Sequence, residues 1–294
     1  MARSDGGLSL IATKLRIPRP RRDLLARRRL IDFLLNHLDR KLLLISAPAG
    51  YGKTTLLSQL AAESDVPVCW LSLDPFDRDL RNFLEYFVAA IASRFPAFGA
   101  RSLALLRDTA DPAANLYPLA ATIVQELYDT IAEYFFLVID DHHTVDEQEA
   151  INEFLDLFVS YVDENCHLIL ASRRLPALPN LSLLVARRQA AGLGIDDLRF
   201  TPAEIQALAR QTHGLELTEE QAGLLVEQTG GWITGLLLTA VQQWEASQEN
   251  VPCRGHVQVD LYDYFLCQVL EPQPPALRDF LLASSVLDLS LIHI

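Results

Sequence analysis

One nine-residue segment restricts the possible folds of this chain more than any other feature. The segment reads APAGYGKTT over residues 47–55 and follows an apolar run, KLLLIS, at 41–46. Its glycines permit a tight backbone path with converging N–H groups, Lys53 can reach the β- and γ-phosphates, and the Thr54 hydroxyl can ligate Mg²⁺. The sequence therefore predicts a strand, a loop and a helix that together hold a nucleoside triphosphate, ATP or ADP, with Mg²⁺.

The candidate nucleotide contacts in this loop are Ala49, Gly50, Tyr51, Gly52, Lys53, Thr54 and Thr55. The common pattern GxxxxGK[ST] has a glycine at the position of Ala47. The start of this loop must therefore have a backbone conformation that alanine also adopts. A chance Gly-Lys-Thr at a helix start is the weaker interpretation, because a buried strand before the loop and a helix after it are both predicted.

Apolar runs and amphipathic stretches alternate up to about residue 199. The runs typical of strands buried on both faces are KLLLIS at 41–46, VCWLSL at 68–73, FFLVI at 135–139 and HLILA at 167–171. Helical spacing of apolar residues predicts helices over 27–38, 53–62, 80–95, 119–134 and 148–162. This alternation predicts right-handed crossovers and an α/β fold, a doubly wound parallel sheet of the P-loop NTPase type.

The ends of two further runs carry side chains expected around a triphosphate. Asp140 follows FFLVI and is the predicted Mg²⁺ ligand, while Asp141 is placed to orient or deprotonate a water that attacks the γ-phosphate. Arg173 follows HLILA, and an arginine there can stabilise γ-phosphate charge. Taken alone, such an aspartate is often a helix cap and such an arginine is often solvated. We expect His142 and His143 to be turn residues or core-edge partners, because Mg²⁺ prefers oxygen ligands.

The pattern becomes helical after about residue 199. Thr201 and Thr218 each stand three residues before a glutamate or glutamine, the capping box that starts a helix. Helices are expected over 203–211, 219–229 and 232–244. We predict four units, an N-terminal arm and helix over 1–39, a P-loop ATPase core over 40–199, a helical lid over 200–248 and a last unit over 249–294.

Composition limits the functional classes. A net charge of −13 opposes nucleic-acid binding by the chain as a whole, because phosphate contacts need a cationic face. No apolar run approaches the about 20 residues that span a bilayer, and the N-terminus lacks a secretory pattern, so we expect a cytoplasmic protein without membrane contact. The four scattered cysteines predict neither a disulfide framework nor a zinc site.

Positive charge is concentrated between Lys14 and Arg29, in TKLRIPRPRRDLLARRR. This stretch is either a nucleic-acid-binding arm or a segment that faces the bound nucleotide. We favour the second interpretation, because basic runs are usually solvated or serve a local partner.

Several motifs, in this order, resemble the MalT-like branch of the STAND class of P-loop ATPases, which includes large ATP-dependent LuxR-type transcriptional regulators. The similar segments are TKLRIPRP and LLARRRL, SAPAGYGKTTL, LVIDDHH, LILASRRLP, LRFTPAEIQALA, QTGGWITGLLL and DLYDYFLCQVLEPQPPALRDFLLASSVLDLS. They extend from about Thr13 to Ser290. Members of this branch commonly have a small residue other than glycine at the position of Ala47.

The resemblance implies a nucleotide-binding oligomerisation module with a P-loop core, a helical lid and a winged-helix-like domain, which at 249–294 looks unfinished. In such proteins ADP holds a closed monomer, ATP with an inducer favours a self-associating form, and slow hydrolysis resets the switch. The resemblance places Arg27 and Arg29 beside the adenine and makes Arg173 the first sensor. Many relatives have a Gly-x-Pro turn of the lid near the nucleotide, where this chain has GWITG at 231–235 without proline.

The family's inducer-binding helical-repeat domain and C-terminal helix-turn-helix domain have no counterpart in these motifs. We therefore expect no direct DNA binding by this stretch, and an unknown inducer that acts through further domains. A metabolic kinase or motor-type ATPase is the alternative, but a kinase lid should be rich in arginine, and 200–248 contains only Arg210. A pure interaction module ranks last, because Lys53 and Asp140 are both present.

Overall fold

A parallel five-stranded sheet forms the centre of the molecule in a computed structural model that describes residues 10–19, 24–238, 270–271 and 274–284. The strands are β1 (Leu42–Ser46), β2 (Val68–Ser72), β3 (Phe135–Asp140), β4 (Cys166–Ser172) and β5 (Ala190–Leu193). Their order is β2-β3-β4-β1-β5, and every neighbouring pair is parallel. The predicted doubly wound α/β fold is confirmed.

Helices cover both faces of this sheet. They are α1 (Arg28–Leu35), α2 (Lys53–Glu63), α3 (Leu80–Ala92), α4 (Ala100–Asp108), α5 (Leu116–Thr130), α6 (Glu149–Tyr161), α7 (Leu181–Ala186) and α8 (Ile195–Leu198). Successive strand side chains point to opposite faces, so Leu42 and Leu44 join one core with α3, α5 and α6, whereas Leu43 and Ile45 join another with α1 and α2. Burial on both faces explains why these strands are apolar runs rather than alternating ones.

The sequence patterns did not predict β5 or α4. The strand β5 is only four residues long, AAGL, and small residues carry little of the β-branched signal that marks a strand. Gly192 in β5 faces β1 so closely that a Cβ would lie 2.8 Å from the Leu44 carbonyl oxygen. The packing of β5 against β1 therefore requires a glycine at position 192.

An N-terminal segment packs against the other sheet edge, at β2. It contains a 3₁₀ helix, Ala12–Leu15, and the Ile11 N–H donates to the Tyr86 hydroxyl at 2.9 Å. The Lys14 ammonium pairs with Asp77, which is completely buried, and lies 4.2 Å from the centre of the Tyr86 ring. This segment is thus joined to the core by a buried ion pair.

A small helical unit follows the sheet. Its helices are α9 (Pro202–His213), α10 (Glu219–Thr229) and α11 (233–238), which share a core of Phe200, Ile205, Leu208, Ala222, Leu225 and Leu236. Both predicted capping boxes, at Thr201 and Thr218, are confirmed. We call this unit the lid, and the four predicted domain boundaries stay predictions.

The remainder of the predicted last unit is described only in part. A helix spans Pro275–Ser284 and includes the predicted helical residues Phe280, Leu281 and Leu282. The predicted continuation of α11 to Trp244, and the helix expected around Leu261, Phe265 and Leu266, lie outside the described residues.

Candidate nucleotide-binding site

The predicted phosphate loop connects the carboxyl end of β1 to the start of α2. Gly50 and Gly52 have positive φ angles of 81° and 79°, which side chains other than glycine rarely adopt. Gly52 is also the N-cap residue of α2. Loop residues from Ala49 to Thr55 line a cavity of about 560 Å³, which falls in the size range of ligand sites.

Lys53 lies inside the loop. Its ammonium donates to the carbonyl oxygens of Ala47 at 2.7 Å and Pro48 at 3.1 Å, and only 8% of the residue is exposed. Burial lowers the pKa of Lys53, while the nearby carboxylates of Asp140 and Asp141 oppose this shift. A cation held among backbone groups at a helix start is suited to the phosphates of a nucleotide.

Thr54, at the start of α2, and Asp140, at the end of β3, are hydrogen-bonded to each other. The Thr54 hydroxyl donates to Asp140 Oδ2 at 2.7 Å, and the Asp141 N–H donates to Asp140 Oδ1 at 3.0 Å. Asp140 is only 2% exposed, and burial together with the Asp141 carboxylate raises its pKa to about 6. A hydroxyl beside a buried carboxylate is an oxygen-donor pair that fits Mg²⁺, which needs few protein ligands when phosphates supply the others.

Asp141 and Arg173 line the same cavity as the loop. Asp141 has a left-handed backbone with φ of 59° and is the N-cap of a 3₁₀ turn, His142–Thr144. Its carboxylate is about half exposed, and its Oδ1 lies 3.7 Å from His143 Nδ1. Since β4 lies between β1 and β3, the parallel order brings Arg173 and Asp141 to the edge where the loop stands.

The two histidines after Asp141 lie in the 3₁₀ turn, as predicted. His142 is completely buried, and burial lowers its pKa to about 4. His142 is therefore a neutral core residue close to the carboxyl edge of the sheet. Among the residues that the structure describes, no group of three or more His, Cys, Asp or Glu side chains is placed to hold a metal ion.

Arg27 and Arg29 form hydrogen bonds and ion pairs with the lid and with the residues just before it. The Arg27 guanidinium donates to the carbonyls of Leu198 at 2.7 Å and Arg199 at 2.8 Å, and to both Glu204 carboxylate oxygens. Arg29 donates to the Arg199 carbonyl at 2.9 Å and to Glu204. Arg27 contributes to the cavity lining and Arg29 does not. The positions of Arg27 and Arg29 beside an adenine, which the resemblance implied, stay predictions.

The basic N-terminal stretch has carboxylate partners within the chain. Lys14 pairs with Asp74 and Asp77, and Arg28 pairs with Glu63 at 2.7 Å. Arg19 contributes to the cavity lining. The partners that the described residues show for this stretch are side chains of the protein itself, and the interpretation that it faces a bound nucleotide stays a prediction.

The lid also reaches the phosphate loop. Trp232 Nε1 donates to the Ala49 carbonyl at 3.0 Å, and the Thr234 hydroxyl donates to the Gly50 carbonyl at 3.0 Å. This segment, where the resemblance implied a Gly-x-Pro turn, contacts the loop without a proline. No local sequence pattern predicted these contacts, because they depend on how the lid packs against the core.

Comparison with known proteins finds regulators of one name in several organisms. A model of the AAA domain family matches residues 36–174. The chain is 34% identical over 282 residues to the HTH-type transcriptional regulator MalT of Yersinia pestis (strain Pestoides F), which covers 95% of this chain and 31% of the relative. It is 33% identical over 285 residues to the regulator of the same name from Yersinia enterocolitica, again covering 95% and 31%. The chain thus spans about a third of the length of these curated relatives.

A solved structure shows the same fold. A Signal Transduction ATPase with Numerous Domains (STAND) protein with a tetratricopeptide repeat sensor, from Pyrococcus horikoshii, superposes with a TM-score of 0.50 at 17% identity, covering 92% of this chain and 36% of that one. Within the described part of the chain, no helix is both long and apolar enough to cross a membrane.

Proposed function

Because this chain belongs to the MalT-like STAND P-loop ATPases, we propose that it is a nucleotide switch that binds ATP or ADP with Mg²⁺ and hydrolyses ATP slowly. The nucleotide state controls self-association of a transcriptional regulator. Inducer recognition and DNA binding belong to parts of the regulator outside this stretch, which spans 31% of its curated relatives.

The observation that carries the proposal is that the cavity lies between the core and the lid. Core residues Lys53 and Asp141 line it on one side, and lid residues Leu208, Ile233 and Thr234 line it on the other. A nucleotide in this cavity would contact both the core and the lid. A triphosphate and a diphosphate would make different contacts, so they would favour different positions of the lid relative to the core. Differential contacts of this kind are what a ligand needs to shift a conformational equilibrium.

The side chains of the site divide the chemistry among them. Lys53 binds the β- and γ-phosphates, and Thr54 with Asp140 would hold Mg²⁺, which neutralises phosphate charge when bound. Asp141 orients the attacking water and accepts its proton, because its half-exposed side chain is the one carboxylate among the described residues that line the cavity. Arg173 stabilises the charge that develops on the transferred phosphoryl group.

Calorimetry with Mg-ATP and with Mg-ADP tests nucleotide binding. The wild-type chain should bind both, and Lys53→Ala should lose most of this affinity. Lys41→Ala is the matched control, because Lys41 stands at the opposite end of β1, where its ammonium donates to the Val162 carbonyl at 2.6 Å. Absence of binding by the wild-type chain, or unchanged binding by Lys53→Ala, contradicts the proposal.

Asp141→Asn tests the hydrolytic role. The variant should retain ATP affinity and lose phosphate release, because an amide cannot accept the proton of the attacking water. Asp163→Asn, at the amino end of β4, should turn over like the wild type. Equal turnover of Asp141→Asn and wild type refutes the role of Asp141.

Steady-state turnover separates a switch from a metabolic kinase or motor. We expect hydrolysis far below the about 1–100 s⁻¹ of kinases. Rapid turnover that depends on an added phosphoryl acceptor would contradict the proposal. Sedimentation velocity completes the test, since the ATP-bound chain should form larger species than the ADP-bound chain, and identical profiles speak against control of self-association.

A further inference from the structure

Two lid residues donate hydrogen bonds to the carbonyl oxygens of two consecutive loop residues. Trp232 Nε1 holds the Ala49 carbonyl, and Thr234 holds the Gly50 carbonyl with two donors, its hydroxyl at 3.0 Å and its backbone N–H at 3.3 Å. These bonds join the lid to backbone groups of the loop, so they do not depend on which side chains the loop carries.

Fixing a carbonyl also fixes the amide that follows it. A trans peptide group is planar, so its C=O and N–H point in opposite directions. The Ala49 carbonyl shares its plane with the Gly50 N–H, and the Gly50 carbonyl shares its plane with the Tyr51 N–H. Gly50 and Tyr51 both line the cavity, and N–H groups of such loops are what bind phosphate oxygens.

We infer that Trp232 and Thr234 are positioning residues for the polyphosphate of the bound nucleotide, because they orient the Gly50 and Tyr51 amides from outside the loop. The inference rests on the proposed nucleotide binding. Thr234 is among the described residues that line the cavity and Trp232 is not. The effect of Trp232 on a nucleotide must therefore pass through the loop backbone.

Two glycines allow the lid to approach this closely. A Cβ on Gly50 would lie 2.5 Å from Thr234 Oγ1 and 2.6 Å from Trp232 Nε1. A Cβ on Gly235 would lie 2.3 Å from Trp232 Cε3. Gly235 stands inside α11, where glycine is unfavourable, and here it leaves space for the indole ring. Gly235→Ala should therefore displace Trp232 and reproduce the effect of losing its hydrogen bond.

The test is the affinity of the purified chain for Mg-ADP, measured by titration with N-methylanthraniloyl-ADP. Trp232→Phe removes the indole donor and Thr234→Val removes the hydroxyl donor. Each should weaken binding about three- to tenfold, as expected for one neutral hydrogen bond. Gly235→Ala should weaken it by a similar factor, and Thr234→Ser should bind like the wild type.

Thr229→Val is the matched control, because the Thr229 hydroxyl donates at 2.7 Å to the Leu225 carbonyl within α10 and should not affect binding. Failure of the wild type to bind refutes the proposed function itself. If the wild type binds and Trp232→Phe binds equally well, the inference is wrong, even when Thr234→Val is weaker, because Thr234 then acts by direct contact. Failure of Thr234→Ser to retain affinity also overturns it.

Discussion

Replacing Asp140 by asparagine should stabilise the nucleotide-free protein while impairing its Mg²⁺-dependent function. The pKa of Asp140 is raised from 3.8 to about 6, first by burial and then by the Asp141 carboxylate. The ionised side chain therefore destabilises the folded state by about 3 kcal/mol at neutral pH. The asparagine amide can donate to the Thr54 hydroxyl and its carbonyl can accept the Asp141 N–H, so the two hydrogen bonds at this position are kept.

The pH dependence follows from the direction of the shift. Below pH 3.8 the carboxyl is protonated in both the folded and the unfolded state and contributes no cost. Between pH 3.8 and about 6 the folded state holds the proton that the unfolded state has lost, so the stability contributed by this group falls as the pH rises. Above about 6 the cost is constant. The gain from Asp140→Asn should therefore be greatest at pH 7.5 and vanish near pH 4.

Urea unfolding in EDTA without nucleotide, followed by circular dichroism, measures this difference. A gain of about 2–3 kcal/mol at pH 7.5 is expected, with a melting temperature raised by about 4–10 °C. Asp156→Asn is the matched control. Asp156 is also buried, but its carboxylate accepts hydrogen bonds from the Asn180 N–H and side-chain amide, so an asparagine there should destabilise the fold. Destabilisation by Asp140→Asn, or a gain that is the same at pH 4 and 7.5, would falsify this reasoning.

Three further predictions concern stability. Arg27→Met should cost about 3 kcal/mol in urea unfolding, because it removes the donor to the Leu198 and Arg199 carbonyls as well as one of the two arginines that pair with Glu204, whereas Arg28→Met, at an exposed ion pair, should stay within about 0.5 kcal/mol of the wild type. His142→Leu should remove one contribution to the pH dependence of unfolding, because between pH 6.5 and about 4 the unfolded state takes up a proton that the buried ring resists, and this lowers the stability as the pH falls; an unchanged pH profile of unfolding contradicts it. Thr201→Val should destabilise the lid by about 1 kcal/mol through loss of its N-cap, seen as faster hydrogen exchange in α9, and unchanged exchange there argues against it.

The sequence allowed the central sheet to be predicted because its strands are buried on both faces. The strands β1 to β4 are apolar runs for that reason, and their ends were identified to within about two residues. The strand β5 and the helix α4 escaped prediction, since AAGL is short and its role depends on the close approach of Gly192 to Leu44. Local patterns therefore identified the elements with strong signals and missed those defined by a neighbour.

Some residues of the candidate site could also be predicted from local patterns, and others could not. The phosphate loop, Asp140, Asp141 and Arg173 were found from their positions after apolar runs, because parallel strands bring such ends to one edge. The pairing of Arg27 and Arg29 with Glu204 joins residues more than 170 positions apart. It could not be read from either segment alone, and the same holds for Trp232 and the Ala49 carbonyl.

The ion pair between Lys14 and Asp77 sets a limit on where this protein can be shortened. The family model begins at residue 36, and a fragment designed to that boundary would leave Asp77 without the Lys14 ammonium that pairs with it. It would also expose the edge of β2, where unpaired backbone groups invite pairing with other chains. Expression of the ATPase core in isolation therefore requires the residues from Ile11 onward, and shorter versions should be prone to aggregation.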